Sequence, residues 1–427
     1  MCRCAWTRSN LLLATSFLWL VASVPLHAQK ASVPADPKKP TGPKAESSLD
    51  AAPPAKRNDF IMAPGAPRPP IKGFRETQTQ SVPEPTGKKL DDLLRGDSKD
   101  DAAIDAFAKA QVSRLTLKGN EADRQILVMI NRTSDSRARY DEESVRKYKT
   151  AVEKYLNDLL GNSVVVQVNA LHVASSIQNG FGDVPDGVPM FLKVLKDPAR
   201  EDAVKLMALV GLIRAKEQNL IKAAEEGEAS AVILKELQKE DLQSVLEAKL
   251  YETLGSLGRS YAQLPGDVQV ASRLAAGAID PDNSLDARVE AARALAKMTL
   301  GDLSEWNSKL QAEVIAGALR DWVQASDDRQ SKGIDARKYE AYLWLKAITK
   351  SLDQPPNQAS AEFKDFAQKV AIEGTLYPLM REESVTPDEI DRWLEKNSVG
   401  ENRKLAPRGP TIPARSEPKA TTAAAQP

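Results

Sequence analysis

One phrase of apolar and basic residues occurs four times in the chain. Its anchor positions are separated by 38, 44 and 39 residues. These anchors are Gln167, Lys205, Lys249 and Arg288. A period of about 40 residues is typical of stacked helical hairpins. One hairpin cannot bury both of its helices alone, so the spacing predicts a fold in which successive hairpins supply each other's apolar contacts.

The clearest hairpin covers residues 188–217. Its first helix carries an apolar stripe from Val188 to Leu195. It ends at Asp197-Pro198, because the residue before proline is excluded from the α region. A second helix, Asp202–Glu217, is apolar almost all round, which predicts burial between neighbouring helices. Asp280-Pro281 followed by Asp286–Met298 repeats this corner and second helix.

Further helical patterns flank the repeats, so residues 87–400 are predicted to be all-α. These patterns cover Leu90–Ala110, Glu142–Leu160, Ser304–Ala325, Asp335–Leu352, Glu362–Leu379 and Pro387–Asn397. The run Val164–Val166 has strand propensity, but the repeat alignment places it in a helix. The acid-rich stretch Glu225–Glu228 is interpreted as a solvated loop.

The hairpins resemble HEAT-type helical repeats, with matches at Pro189, Asp197-Pro198, Val204-Lys205 and Ala208. The resemblance covers residues from about 150 to 300 and is best at 188–215 and 268–298. The corners are two residues longer than the family pattern, and the units around Gln167 and Lys249 lack the Asp-Pro pair. The resemblance implies a right-handed α-solenoid whose second helices line a concave surface, and a binding or scaffold role. Residues 301–400 would form an aromatic-rich C-terminal cap.

Both ends of the chain are predicted to lie outside this domain. Residues 1–28 have the pattern of an export signal, with two arginines, an apolar run of 14 residues and Ala28 at the cleavage point. That run is shorter than the roughly 20 residues that span a bilayer, so we expect no integral membrane span in the mature chain. The protein would then be periplasmic or secreted. Proline-rich residues 29–86 predict a disordered linker, a candidate for contact with the cell envelope, and residues 401–427 predict a disordered tail.

The composition leaves few routes to catalysis. Both cysteines lie in the signal, and His172 is the one histidine after residue 28. No glycine-rich phosphate loop and no Gly-x-Ser-x-Gly elbow is present, so we expect no cofactor, no metal and no enzyme activity. The net charge of 0 argues against a nucleic-acid partner. The acids between Asp280 and Asp286 have the spacing of a calcium loop, but Leu285 and Ala291 replace the required Gly and Glu, so a turn and capping role is favoured.

Lys205, Lys249 and Arg288 form a basic column that is a candidate binding stripe. The alternative is a ladder in which Lys205 and Arg288 pair with corner acids of adjacent hairpins, such as Asp197 and Asp280.

Trp306, Trp322 and Trp344 are the second candidate set, in a part of the chain where aromatic residues concentrate. They are candidates to anchor a protein or to stack on sugar rings. The alternative is a bulky cap that closes the stack.

The most direct interpretation is an exported, non-catalytic scaffold that binds a protein or peptide. A carboxylate-dependent hydrolase or carbohydrate-binding protein using the tryptophan-rich part is the alternative. A structural element of the cell envelope is a third possibility.

Overall fold

A computed structural model describes most of the chain beyond residue 76. The described ranges are 77–80, 82–117, 120–134, 140–177, 187–262, 268–298, 306–328, 334–353 and 360–415. All of them belong to one unit, Lys56–Pro427. The expected signal and most of the expected linker lie outside these ranges. Regular structure in the described residues is helical, which confirms the all-α class.

The helices follow one another with short connections. In chain order they are α1 Leu90–Leu94, α2 Asp101–Ser113, α3 Asn120–Ser134, α4 Glu142–Leu159, α5 Val164–Ile177, α6 Val188–Lys196, α7 Asp202–Glu217, α8 Ala223–Glu236, α9 Ser244–Leu257, α10 Gln269–Ile279, α11 Leu285–Lys297, α12 Ser308–Asp328, α13 Ile334–Leu352, α14 Ala361–Asp365, α15 Tyr377–Met380 and α16 Asp388–Asn397. A π-helix, Phe366–Leu376, joins α14 to α15.

Two series of helices alternate along the chain. The second helices pack in succession, α3 on α5, then α7, α9, α11 and α13. The first helices α6, α8, α10 and α12 likewise pack one on the next. Each first helix also contacts its own second helix in the pairs α4–α5, α6–α7, α8–α9 and α10–α11. The second helices α5, α7, α9 and α11 therefore each have the preceding second helix, the following second helix and their own first helix as neighbours.

The Asp-Pro corners behave as the sequence predicts. Asp197 ends α6 with ψ 107°, and Asp280 ends α10 with ψ 113°, both in the extended region. The second helix α7 covers Asp202–Glu217, as predicted, and the valine run begins α5.

Two local predictions are wrong. The helix expected over Leu90–Ala110 is broken, because Gly96 has a φ of +79° and Asp100 caps a new helix by accepting from the Ala103 amide at 2.9 Å. The expected loop Glu225–Glu228 lies in the first turns of α8, where acids interact favourably with the positive end of the helix dipole.

The predicted linker continues too far into the domain. Within it, Gln78 exchanges two hydrogen bonds with Asn162, at 3.0 and 2.9 Å, and Thr77 Oγ1 lies 2.8 Å from Ser163 Oγ. The Thr116 hydroxyl accepts from the Gln80 amide at 2.8 Å. Polar side chains at the ends of helices thus satisfy an extended backbone that has no helical bonds of its own.

The predicted tail also begins too early, because residues 401–415 pack on the domain. Leu405 and Ile412 are buried at 0% and 1% exposure. Arg403, itself buried, places Nη1 2.8 Å from Glu313 Oε1 on α12. These apolar and ionic contacts are between residues about 90 apart, and local composition does not reveal them.

Within the ranges given above, none of the helices combines the length and the apolar character needed to cross a membrane.

Candidate functional site

Two anchors of the repeated phrase connect one hairpin to the next. Lys205 Nζ on α7 lies 2.7 Å from Glu236 Oε1, the last residue of α8. Arg288 Nη1 on α11 lies 2.6 Å from Asp321 Oδ2 on α12. The two acids stand 31 and 33 residues after their partners, each on the first helix of the following hairpin. We call these contacts the inter-hairpin ladder.

A third anchor joins the ladder through a hydrogen bond from a charged guanidinium to a neutral amide. Gln167 Oε1 accepts from Arg200 Nη1 at 2.7 Å, again 33 residues later. The corner acids named as alternative partners are used locally. Asp197 pairs with Arg200 at 2.9 Å, and Asp280 accepts from the Asp282 amide at 3.0 Å. The ladder therefore exists, but its acids lie on the first helices and not at the corners.

Lys249 does not belong to the ladder. It pairs with Glu252 on its own helix, and its side chain is 21% exposed. Glu247 occupies the position of α9 that corresponds to Lys205 of α7, because the two residues are equally buried, at 1% and 2% exposure. The burial pattern of α9 is thus shifted by two residues relative to the sequence alignment of the four repeats.

The Lys205 rung is the most deeply buried ion pair of the ladder. The side chains of Lys205 and Glu236 are 3% and 10% exposed. Burial raises the pKa of Glu236, but hydrogen bonds from Lys205 and Lys239 outweigh it and hold that pKa below its ordinary value. A buried carboxylate with two ammonium partners is a structural contact, so Lys205 has no free charge for a ligand.

Two of the candidate tryptophans lie inside the domain. Trp322 and Trp344 are 3% and 0% exposed, and their ring centroids are 6.4 Å apart. The Arg293 guanidinium lies 5.2 Å from the Trp344 ring centroid, and the Trp322 indole donates to the Glu340 carboxylate. These contacts join α11, α12 and α13 into one packed end, as the cap interpretation expects.

The third candidate, Trp306, and a further tryptophan of this region, Trp393, are also engaged. Trp306 is partly buried against the core, and its Nε1 donates to Gln311 Oε1 at 2.9 Å. Trp393 is 6% exposed, with its ring 4.8 Å from that of Phe366. A sugar platform needs open aromatic faces, and Trp322, Trp344 and Trp393 lack them.

Solvent-exposed side chains of α5, α7, α9, α11 and α13 make up a region that we call the second-helix surface. On α7, the apolar residues Leu206, Val210 and Ile213 are only partly buried and follow the i, i+4, i+7 spacing of one helix face. Val165 on α5 and Val245 on α9 are 61% and 65% exposed. On α7 this side is therefore apolar and partly open to solvent, with Leu206 packed in part against the core.

The same surface becomes charged and aromatic towards α13. Tyr339 and Tyr342 on α13 are 42% and 51% exposed. Burial raises the pKa of Tyr339, with a contribution from Glu252 on α9 and from Glu290 on α11. Side chains from three successive second helices thus interact in one region.

His172 lies on α5 among groups that hold it in a structural role. Burial and the Arg214 charge on α7 together lower its pKa to about 4, and Asp123 acts in the opposite direction. The Ser175 and Ser176 hydroxyls donate to the His172 carbonyl oxygen at 2.9 Å and accept from Arg214. No hydroxyl here is shown bonded to the imidazole as a nucleophile would be.

The calcium-like segment serves the turn before α11. Ser284 Oγ accepts from the Ala287 amide at 3.2 Å, and Asn283 Nδ2 donates to the Gly277 carbonyl at 3.0 Å. In the part of the chain that the structure describes, no three His, Cys, Asp or Glu side chains form a group that could hold a metal ion.

Sequence reasoning missed the acids of the ladder and the charged end of the second-helix surface. A search for an acid 31 to 33 residues after each anchor would have found Glu236 and Asp321. No local signal marks Tyr339, because its neighbours are up to about 90 residues away in the chain.

In comparisons with protein families, curated proteins and solved structures, the chain has no match.

Proposed function

We propose that this chain is an exported, non-catalytic scaffold that binds a protein or peptide partner on its second-helix surface. In this proposal the helices form a right-handed α-solenoid of HEAT-like hairpins, with the second helices on the concave side. The successive packing of α5, α7, α9 and α11 supports this arrangement.

The stripe of Leu206, Val210 and Ile213 is the observation that carries the proposal. These side chains are partly exposed on one face of a helix whose other faces carry fully buried residues such as Leu209 and Leu212. Partly exposed apolar groups on one contiguous face are typical of interaction sites. The exposed tyrosines of α13 extend the surface with rings that combine apolar area and a polar hydroxyl, as binding surfaces favour.

Export is part of the proposal and depends on residues 1–28. The segment before residue 77 would act as a tether between the domain and the envelope. A variant lacking residues 29–76 keeps the packed Thr77–Gln80 contacts, so it tests the tether without damaging the domain.

Affinity capture from the periplasmic fraction tests the binding role. The wild-type chain, an L206S/V210S variant and a Y377S control are compared. Tyr377 is 44% exposed on α15, so the control removes a similar amount of apolar surface elsewhere. We expect the wild type and the control to recover the same protein, and L206S/V210S to lose it while keeping its circular dichroism spectrum. Recovery of no protein, or equal recovery by all three chains, would count against the proposal.

A further inference from the structure

Four lysines lie in the last two turns of three second helices. Lys216 lies in the last turn of α7, Lys297 ends α11, and Lys346 and Lys350 lie one turn apart on α13. Lys350 interacts electrostatically with Lys216 and Lys346, and Lys297 with Lys346. We call these four residues the lysine cluster.

The acids around the cluster already hold other bases. Glu226 pairs with Lys216, Glu252 pairs with Lys249, and Glu290 pairs with Arg293 at 2.6 Å. Glu290 and Glu252 act on Lys297 only at longer range. Within the described ranges, Lys297, Lys346 and Lys350 have no carboxylate within 4.0 Å. Three positive charges in this region therefore remain without a close counter-charge.

Helix dipoles alone do not account for this crowding. A lysine at a helix C-terminus is stabilised by the negative end of the dipole, which favours its charged form. Burial nevertheless holds the pKa of Lys297 and of Lys350 below the ordinary value, and facing lysines add to the effect. Like charges at this spacing oppose folding, so an anion that joined them would be bound favourably.

We propose that the lysine cluster is a carboxylate-binding site for an acidic peptide segment of the partner. The inference rests on the proposed function and names the chemistry of its ligand. Ammonium groups spread over three helices match carboxylates spaced along an extended chain. Arg293, which acts on Lys297, pairs with Glu290 and lies over the Trp344 ring, so its planar fork is already engaged and does not hold a compact phosphate here. Tyr339 and Tyr342, exposed on the same helix as Lys346, offer ring faces to the apolar side chains between the acids.

Fluorescence anisotropy of the full chain tests the proposal, with a labelled peptide of alternating glutamate and glycine as the probe. The test variant is K346Q/K350Q, whose lysines are both exposed, so folding should be retained. The control K109Q/K193Q removes the same charge from exposed positions on α2 and α6. We expect K346Q/K350Q to weaken binding about tenfold at low ionic strength, and the control to change it less than about twofold. Added salt should weaken wild-type binding, because exposed charges are screened.

Any one of the following results would overturn the inference. Equal loss in both variants would show general attraction, and no loss in K346Q/K350Q would place the peptide elsewhere. A matching peptide of glutamine and glycine that binds as tightly would remove the role of carboxylate. Competition by inorganic phosphate as strong as that by the acidic peptide would indicate a site for compact anions. If the captured partner depends on Leu206 and Val210 but the acidic peptide does not bind, this inference fails while the proposed function stands. If the peptide binds as expected but capture recovers no partner, the proposed function fails.

Discussion

At Gly255, the second helices α9 and α11 pack too closely to leave room for a side chain. A Cβ added there would lie 2.6 Å from Ala294 Cα and 2.7 Å from Ala294 Cβ on α11. Carbon atoms in contact normally stand about 3.5–4.0 Å apart. One of the opposing atoms is backbone, so no rotamer change can relieve the overlap. The substitution Gly255→Ala must therefore move α9 from α11 by about 1 Å.

The expected cost follows from two opposing effects. Overpacking of a close-packed interior costs about 1–3 kcal/mol, and a backbone obstacle places this site at the upper end. Replacing glycine by alanine inside a helix returns at most about 1 kcal/mol. The separation also loosens contacts of Leu254 and Leu295, both 0% exposed. We expect G255A to lower the free energy of unfolding by about 2 kcal/mol.

Urea unfolding followed by circular dichroism at the helix band measures this change, with Gly317→Ala on α12 as the matched control. A Cβ at Gly317 would meet Arg415 Nη1 at 3.3 Å, the far end of a flexible side chain. G317A should therefore be neutral or stabilising by up to about 1 kcal/mol. A broadened transition in G255A would indicate that the two sides of the α9–α11 contact unfold separately.

A second substitution separates the contact from other causes. In G255A/A294G the Cβ obstacle is gone and the Cα obstacle remains, so the double variant should be more stable than the sum of the single changes predicts. If G255A proves as stable as the wild type, or if the two changes are strictly additive, the close approach of α9 and α11 is not what limits this site.

Three further predictions concern the ladder, the histidine and the tail. K205M should cost about 3 kcal/mol, because it leaves the buried Glu236 with one partner, and K205M/E236Q should recover much of that loss in urea unfolding. R288M should cost less, since its acid also pairs with an arginine of the tail. The pKa of His172 is lowered from 6.5 to about 4, so between these pH values the unfolded chain binds a proton that the folded chain does not. Stability should fall by about 3 kcal/mol as the pH drops through this window, and H172Q should remove that slope in unfolding experiments at several pH values. Deleting residues 401–427 should lower stability by about 4 kcal/mol through loss of two buried aliphatic side chains, visible as a lower Tm.

The sequence predicts well what depends on local chemistry. The Asp-Pro corners end α6 and α10 because proline restricts the residue before it, wherever the chain lies. The boundaries of α7 follow from its apolar run and agree with the structure. The repeat also identified Lys205 and Arg288 as a related pair, and both occupy rungs of the ladder.

The sequence predicts poorly what depends on partners far along the chain. The composition of the tail predicts disorder, yet Arg403 pairs with Glu313 on α12 and Ile412 is buried. The surface that orders the tail belongs to α12, so the sequence of the tail alone does not reveal it. The acid-rich stretch of α8 is predicted to be a loop, because its high charge density does not reveal that the positive end of a helix dipole stabilises it. The alignment of the repeats places Lys249 at the anchor position of α9, whereas the burial of the side chains places Glu247 there.

The packing also indicates where function can reside in a fold of this kind. The second helices α5, α7, α9 and α11 each contact the second helices before and after them and their own first helix. The residues in those contacts, such as Ala208 and Leu212 of α7, are explained by stability alone. Only the remaining side is free of that requirement, and solvent would favour polar residues there. Leu206 and Val210 lie partly exposed on that side, and Lys350 at its far end has no carboxylate within 4.0 Å among the described residues, so a partner that covered the aliphatic side chains and paired with the ammonium group would be bound favourably.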